Sequence, residues 1–422
     1  MSLVINPILW LVLFIMAGRS PLSRFGIPVE SEYALALLLL AICLVLTIIV
    51  RSTLSGRTTI SISAPNSAAF WSMLLFMLWG TWSLSYSPAA LGQKYLDLWL
   101  VFIVFLLPIW LLKDLRDFKR LLQYLAFFCG LLALVGVFAM LTQDISRLAV
   151  LGGGPNVFAR FMFTGGCASM ALAYLSRQCK RSNHLIMYSI LSVICFLLII
   201  FSGSRGAGVA LIVSICAWGL FLVVNYRSNI RKGFQRVFIV ISIFLAGGIV
   251  FFFDRIYQYY VSRFSYLFSD APGGTAVEAR YDLSNQAIAL ISNSPIWGWG
   301  IGSFGALTGE NYPHNFSLEI LSEMGIIGYV LLIIVIISVL SALLKIPRYV
   351  GRNDQVKSIR ELEYIFVFLF ISFVFFIVAV HFSGDLYDSR WLFFLWGMVI
   401  AVARIKKKIL YDPDFHKGGA GN

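Results

Sequence analysis

Long runs of apolar residues, separated by short polar or charged segments, dominate this 422-residue chain. Runs of roughly 17–25 apolar residues are long enough to cross the hydrocarbon core of a bilayer as helices. The pattern predicts about twelve transmembrane spans, near residues 4–17, 33–50, 69–87, 97–112, 121–141, 161–176, 186–203, 207–224, 237–253, 326–344, 364–382 and 391–403. Because the runs are unbroken rather than alternating with period two, they predict helices and not the strands of a barrel.

Composition supports a protein that resides in lipid. Hydrophobic residues make up 59% of the chain and charged residues 13%, with a mean hydropathy of +0.86. A soluble core cannot hide that much apolar surface. The prediction is an all-α polytopic membrane protein that forms one integral membrane domain over residues 1–422. The first apolar run lacks a basic N-region and a small-residue cleavage site, so we expect a retained helix rather than a signal peptide.

Lysine and arginine are divided unevenly between the two sets of loops. One alternate set holds 23 of the 33 basic residues and carries a net charge of +16, whereas the opposite set carries −3. The basic set comprises 51–68, 113–120, 177–185, 225–236, 345–363 and the tail from Arg404. Basic loops stay in the cytoplasm. This predicts two cytoplasmic termini and one long periplasmic loop, residues 254–325.

The basic character of the chain is therefore a topology signal. Its +13 net charge is spread over short loops without a nucleic-acid-binding motif, so no nucleic-acid partner is expected. The six cysteines include no pair in an external loop and no Cys-x-x-Cys spacing. We therefore expect no disulfide and no metal site built on cysteine. As a separate expectation, the chain needs no cofactor.

The turn Ser-Gly-Ser-Arg-Gly-Ala at 202–207 predicts an arginine, Arg205, buried among small residues at the outer membrane edge. Arginine in that position is costly unless an anion or several acceptors surround it. Exposed backbone N–H groups at the start of the following helix also favour a phosphate. The alternative is an arginine that extends its head group to the interface.

The long loop carries three further features. Asp254–Ser269 has the mixed aromatic and charged pattern of an interfacial helix. Residues 277–292 repeat apolar positions at helical spacing, which predicts a short external helix with Arg280 on its polar face. The Gly/Trp-rich segment 293–305 cannot be helical.

His314 follows this segment and precedes a helix that begins at Asn315 and bears Glu319 and Glu323 on one face. Taken alone, Arg280 can be a solvated helix charge and His314 an ordinary interfacial histidine.

Two other external segments contain candidate residues. Gly-Gly-Gly-Pro-Asn at 152–156, followed by Arg160, suits an anion near a helix N-terminus, with Asn156 and Arg160 as supporting residues, or else is a plain turn. The last external loop, 383–390, contains Asp385 and Asp388. These carboxylates suit a metal site, a partner for an arginine, or merely a polar turn.

The combination of Ser-Gly-Ser-Arg-Gly-Ala at 202–207, Arg280 before Asn-Ser-Pro-Ile-Trp-Gly-Trp-Gly-Ile-Gly at 293–302, and His314 resembles the O-antigen ligase family, which includes many polysaccharide polymerases. The resemblance covers roughly residues 150–330. It implies a GT-C-like, inverting, metal-independent glycosyltransferase of the bacterial inner membrane with its active site in the periplasm.

The resemblance also implies the substrates and the roles of residues. The donor would be a glycan on undecaprenyl diphosphate, and the acceptor lipid A-core or a growing glycan. Arg205 and Arg280 would hold the diphosphate and His314 would be the base, with an acidic residue of the last external loop, Asp385 or Asp388, in support. Glu319 is a further supporting candidate.

Elementary chemistry agrees with these roles. Guanidinium groups stabilise the charge that develops on a departing diphosphate. Histidine suits proton removal from a sugar hydroxyl near neutral pH.

Two alternatives stay open at this point. A polymerase that extends the repeat unit shares its donor and its motifs with a ligase. The sequence favours the ligase only slightly over the polymerase. A transporter or flippase for lipid-linked glycans also fits the topology, but it predicts internal repeats and charges within the bundle, whereas the polar groups here crowd into one external loop.

Overall fold

The computed structural model describes most of the predicted spans and part of the long loop. The described residues are 6–17, 42, 45, 67–89, 93–142, 148, 149, 154–179, 181–224, 275–310, 312–346, 357–386 and 388–411. All secondary structure within these ranges is helical. The predicted all-α class is confirmed for this part of the chain.

Twelve α-helices follow one another along the described ranges. They are α1 (Pro7–Ala17), α2 (Ala68–Ser83), α3 (Gln93–Leu111), α4 (Leu115–Thr142), α5 (Pro155–Gln178), α6 (Ser182–Phe201), α7 (Arg205–Val224), α8 (Thr275–Asn293), α9 (Ser303–Thr308), α10 (Phe316–Leu344), α11 (Lys357–Phe382) and α12 (Arg390–Tyr411). A 3-10 turn, Leu84–Tyr86, continues α2.

Within the described ranges, seven helical segments are long and apolar enough to cross a membrane, and each coincides with a predicted span. They are Ala68–Tyr86, Lys94–Leu111, Leu115–Thr142, Pro155–Gln178, Ser182–Phe201, Phe316–Leu344 and Leu362–Phe382. The predicted first and eighth spans correspond to shorter apolar helices, Pro7–Met16 and Arg205–Phe221.

The last predicted span lies within α12. Spans 33–50 and 237–253 fall outside the described residues except for 42 and 45, as does the predicted interfacial helix Asp254–Ser269. The protein is thus a multi-pass membrane protein, while the count of twelve spans stays a prediction.

Helix α5 lies at the centre of the bundle, with 94% of its most apolar segment buried. Small residues let its neighbours approach closely, as is common between helices in membranes. Gly165 lies against Cys129 of α4, and a Cβ on Gly166 would stand 3.0 Å from the ring of Phe196 in α6. This packing fixes the N-terminus of α5, which carries two of the candidate site residues.

Helix α10 is broken at Gly325. This residue has φ 65° and ψ −169°, a conformation essentially restricted to glycine, and it separates a buried first segment from the long apolar remainder of the helix. The break frees backbone groups that lipid cannot satisfy. The N–H of Ile326 donates to the carbonyl of Pro295 at 2.9 Å. The Gly/Trp-rich segment therefore completes the hydrogen bonding of the broken helix.

The same segment lies directly against the break. The N–H groups of Trp299 and Gly300 donate to the carbonyls of Ser322 and Glu323 at 3.0 and 2.8 Å. Gly298 has φ 71°, and a Cβ on it would stand 2.5 Å from the backbone of Glu323. Only a glycine-rich chain can approach a helix backbone so closely, which explains the composition of the segment.

Helix α2 covers the other side of this segment. The indole Nε1 of Trp79 donates to the carbonyl of Met324 at 2.9 Å, and the hydroxyl of Tyr86 donates to the carbonyl of Trp297 at 2.8 Å. The rings of Trp79 and Trp297 stack with centroids 5.5 Å apart. The Gly/Trp-rich segment is thus fixed between two helices, and so is the chain that leads to His314.

Candidate active site

Three arginines from three helices meet in one cavity. The cavity has a volume of about 300 Å³ and lies between α5, α7, α8 and the end of α11. Its polar lining consists of Asn156, Arg160, Ser204, Arg205, Arg280 and Ser383. No described lining residue is a carboxylate. The arrangement forms a positively charged site of a size that suits a small anionic group.

Arg205 is held by a hydrogen-bonded turn between α6 and α7. Gly203 has φ 63°, and the hydroxyl of Ser204 accepts from the N–H of Ala207 at 3.2 Å, which caps α7. Ser204 and Ala207 are buried, but Arg205 is exposed, so the prediction of a buried arginine is wrong. Arg205 is the first residue of α7, and it lines the open cavity instead of the core of the turn. A guanidinium in this position can reach a ligand in the cavity.

Asn156 and Arg160 hold the loop between α11 and α12. Asn156 donates to the hydroxyl of Ser383 and accepts from that of Ser204, both at 2.6 Å. Arg160 is 4% exposed and donates to the carbonyls of Ser383 and, at 3.1 Å, Asp388. Arg160 therefore lines the cavity while two of its donors are engaged by the loop. Its position favours a role in shaping the site.

Arg280 lies on the exposed face of α8, as predicted. The opposite face of this helix packs through a small apolar cluster that contains Leu283, Ala287 and Phe304. The indole Nε1 of Trp299 also donates to the carbonyl of Leu290 at 2.9 Å. Helix α8, which confirms the helix predicted over 277–292, is thus anchored to α9 and α10 and directs Arg280 toward Arg205 and Arg160.

His314 has an unusual backbone conformation. Its φ is 56°, and among the described residues it is the only one besides glycines with a positive φ. Asn315 caps α10 by accepting from the N–H groups of Ser317 and Leu318, at 3.0 and 3.2 Å. The half-buried imidazole meets the ring of Tyr312 edge-on at a centroid distance of 4.4 Å. Its Nδ1 is enclosed and has no hydrogen-bond partner in the described part of the chain.

Burial and a neighbouring positive charge favour the neutral form of His314. Burial lowers the pKa of this imidazole below its ordinary value of 6.5, and the positive charge of Arg280 lowers the pKa further. The carboxylates of Asp385, Asp388 and Glu310 oppose this shift. His314 does not line the arginine cavity, but Arg280 is close enough to lower the pKa of the His314 imidazole. A neutral imidazole thus lies beside a cationic site.

Tyr312 is a site residue that the sequence did not reveal. Burial and the nearby carboxylates of Asp388 and Asp385 raise the pKa of its phenol, while Arg160 opposes the shift. The hydroxyl therefore stays protonated, on a ring that contacts the imidazole of His314. Nothing in its sequence neighbourhood distinguishes Tyr312 from the other tyrosines of the chain.

The two aspartates of the loop between α11 and α12 have different positions. Asp385 is 1% exposed, and its Oδ1 accepts from the N–H of Asp388 at 2.6 Å in the turn that starts α12. Asp388 is half-buried with its Oδ1 3.8 Å from Arg390, and its carbonyl is bound by Arg160. Of the three interpretations of this loop, the observed contacts favour a polar turn and an arginine partner. The described residues contain no group of three or more potential metal ligands.

One stretch of the sequence, from the end of α6 to the break in α10, contains Arg205, Arg280 and His314. The same stretch contains the Gly/Trp-rich segment. Residues 190–333 match the O-antigen ligase family. The resemblance inferred from the motifs is confirmed for these residues, which are less than half of the chain. No curated protein sequence matches the chain. The match supports a membrane enzyme of the O-antigen ligase or polymerase type.

The O-antigen ligase match does not include every residue of the cavity. Asn156 and Arg160 precede the matched residues, and Ser383 follows them. Their proximity to Arg205 therefore comes from the fold alone. The matched segment supplies the exposed arginines and the histidine, whereas the flanking helices enclose them.

Lys94 is a second residue that the sequence did not single out, and it contacts a residue of the matched segment. Lys94, at the start of α3, forms an ion pair with Glu319, whose side chain is 1% exposed. The other carboxylate oxygen of Glu319 is buried without a hydrogen-bond partner in the described part of the chain. Glu319 does not line the arginine cavity. Its role as a supporting residue stays a prediction, and the contact favours anchoring of α10 to α3.

Proposed function

We propose that the protein is an inverting, metal-independent glycosyltransferase of the O-antigen ligase type. It would transfer a polysaccharide from undecaprenyl diphosphate to lipid A-core on the periplasmic face of the inner membrane. The observation that carries the proposal is the cavity in which Arg205, Arg280 and Arg160 converge with no carboxylate among its described lining residues. Guanidinium groups bind diphosphate oxygens through paired, charge-assisted hydrogen bonds.

The arginines stabilise the leaving group. As the bond between the anomeric carbon and the diphosphate oxygen breaks, negative charge grows on that oxygen. Arg205 and Arg280, which are both exposed at the cavity, interact more strongly with this charge than with the intact ester. Arg160 supports the site indirectly, because its donors hold the carbonyls of Ser383 and Asp388.

His314 receives the proton of the acceptor. The sugar hydroxyl attacks the anomeric carbon from the face opposite the diphosphate, which inverts the configuration. Its proton passes to the neutral imidazole as the new glycosidic bond forms. The products are the glycosylated acceptor, undecaprenyl diphosphate and an imidazolium. The lowered pKa of His314 favours the neutral form that this step requires.

The test compares His314→Ala with the unaltered protein in purified form, supplied with a glycan on undecaprenyl diphosphate and with lipid A-core. We expect transfer to fall about a hundred- to ten-thousandfold, the usual range for loss of a general base. Donor binding should persist because the arginines remain. His184, which is exposed at the start of α6, provides a matched control, and His184→Ala should be fully active.

Two outcomes would change the proposal. If His314→Ala binds donor poorly but transfers the bound glycan at the normal rate, His314 is a donor ligand and not the base. If the unaltered protein joins donor glycans to one another and leaves lipid A-core unmodified, the activity is that of a polymerase.

A further inference from the structure

A second cavity lies at the opposite end of α10 from His314. Its volume is about 640 Å³, and it is formed by the start of α2, the end of α10 and the end of α12. The apolar part of α10 that follows its break runs from residue 326 to residue 344 and extends for about 28 Å, close to the thickness of the hydrocarbon core. The second cavity is therefore on the other side of the membrane from the arginines. The distribution of basic loops makes this the cytoplasmic side.

Three lysines line this second cavity. Lys406 is 8% exposed and donates to the carbonyl of Lys345 at the end of α10. Lys345 and Lys407 are exposed, and neither side chain makes a hydrogen bond or an ion pair within the described residues. No described lining residue is a carboxylate. Two ammonium groups are thus available to an anion, next to a third that is fixed by the fold.

Neutral donors add to this positive site. The hydroxyl groups of Ser338 and Ser341 line the cavity, as do Ala68 and Ala69 in the first turn of α2. The first N–H groups of a helix have no partner within the helix and favour an anion. These groups supplement the lysines, which supply the formal charge.

The surroundings of the cavity favour a lipid over a soluble anion. Ile346 and Ile400 form part of its wall, together with Ile337. Ile337 is 60% exposed and ends a stripe of exposed apolar residues on α10. The other members of this stripe are Ile326, Val330 and Ile334. An acyl chain can lie along the stripe while the phosphate of the same molecule occupies the cavity.

We propose that the cavity between α2, α10 and α12 binds an anionic phospholipid of the cytoplasmic leaflet. Lys345 and Lys407 contact the phosphate, and Lys406 positions the end of α10 beneath it. Basic pockets between transmembrane helices on the cytoplasmic side favour anionic head groups for this reason. The site is separate from the arginine cavity, and the proposal does not depend on which reaction the arginines serve.

The experiment measures phosphatidylglycerol binding to the full chain in detergent by native mass spectrometry. We expect Lys345→Gln and Lys407→Gln each to lower the affinity about fivefold, and the double variant roughly thirtyfold. Lys406 is left unchanged because its side chain caps α10. Lys408 is exposed on the same helix but does not line the cavity, so Lys408→Gln is the matched control.

The control variant, competition by phosphate and the choice of lipid decide whether the proposal holds. If Lys408→Gln weakens binding as much as Lys407→Gln does, the attraction is a general effect of surface charge and the site is refuted. Displacement of the lipid by millimolar inorganic phosphate would identify a soluble-anion site instead. Equal binding of zwitterionic phosphatidylethanolamine would show that the lysines do not select the head group. Preference for phosphatidylglycerol without displacement by phosphate supports the assignment.

Discussion

His314 combines a strained backbone with an enclosed nitrogen atom. The left-handed conformation of a residue other than glycine costs about 1–2 kcal/mol, and the enclosed Nδ1 lacks a hydrogen-bond partner within the described residues. Strain and unsatisfied groups of this kind concentrate at functional sites. The other ring nitrogen, Nε2, is the one that can accept the proton of an acceptor hydroxyl.

The charge environment of His314 predicts a specific pH dependence. Its pKa is lowered below the ordinary value of 6.5, so activity should fall on acidification with a midpoint below that value. Arg280→Gln removes a positive charge that lowers this pKa. In the residual activity of that variant, the acidic limb of kcat/KM should therefore move to higher pH. Arg205→Gln should lose activity without moving the limb, and an unmoved limb in Arg280→Gln would contradict the assignment of the base.

The two exposed arginines should not tolerate lysine. A planar guanidinium and an ammonium carry the same charge but bind a diphosphate differently. Loss of one good charge-assisted contact is worth about 1.5–3 kcal/mol, so Arg205→Lys and Arg280→Lys should each lower transfer roughly ten- to over a hundredfold. Arg120→Lys, at an exposed arginine that pairs with the half-buried Asp117 on α4, is the control for arginine replacement as such. Normal turnover in both site variants would refute diphosphate binding.

At the scale of elements, the break in α10 and the Gly/Trp-rich segment form one unit. The turn chemistry of 293–305 predicted an irregular segment, and the apolar spacing of 277–292 predicted α8, because both signals are local. The break at Gly325 was not predictable, because this glycine lies at the start of an apolar run and its conformation depends on contacts with Pro295 and Ile296. A long-range contact leaves no periodic signal.

The same reasoning applies to the ion pair that fixes the start of α10. Lys94 and Glu319 are each an ordinary charge at the edge of a span when the sequence is considered alone. Only the packing of α3 beside the first turn of α10 brings them together. Sequence motifs therefore identified residues that face the cavity, such as Arg205 and Arg280. They did not identify residues such as Lys94, which hold the helices together.

Gly325→Ala tests the importance of the break. The backbone conformation of Gly325 is essentially restricted to glycine, and an added Cβ would collide with the carbonyl of Ile296. We expect a loss of about 3 kcal/mol or more and a clearly lower Tm. Gly219 in α7 has open space around it, so Gly219→Ala should raise stability by about 0.5–1 kcal/mol. Thermal unfolding in detergent measures both, and an unchanged Tm in Gly325→Ala would show that the break is dispensable.

At the scale of the whole molecule, charge separates the two ends of the bundle. The arginine cavity lies beside the carboxylates of Asp385 and Asp388, whereas the other end is purely basic along α12. There Arg404 donates to the carbonyl of Leu112 at 2.8 Å and Lys406 to that of Lys345, so both residues cap helix C-termini. Arg404 and Lys406 belong to the basic residues from which the membrane orientation of the chain was predicted. In the structure they also donate hydrogen bonds to the carbonyl groups at helix ends.

The orientation can be measured directly in a variant whose native cysteines are replaced by alanine. Glu310 is exposed near His314, and Lys408 is exposed at the end of α12. Because basic loops stay in the cytoplasm, Glu310→Cys should react with an impermeant thiol reagent in cells with a permeabilised outer membrane. Lys408→Cys should react only after the inner membrane is opened. The cysteine-free variant must first retain transfer activity, which shows that its fold is intact. The reverse labelling pattern would place His314 and the arginines in the cytoplasm, where a periplasmic acceptor could not reach them.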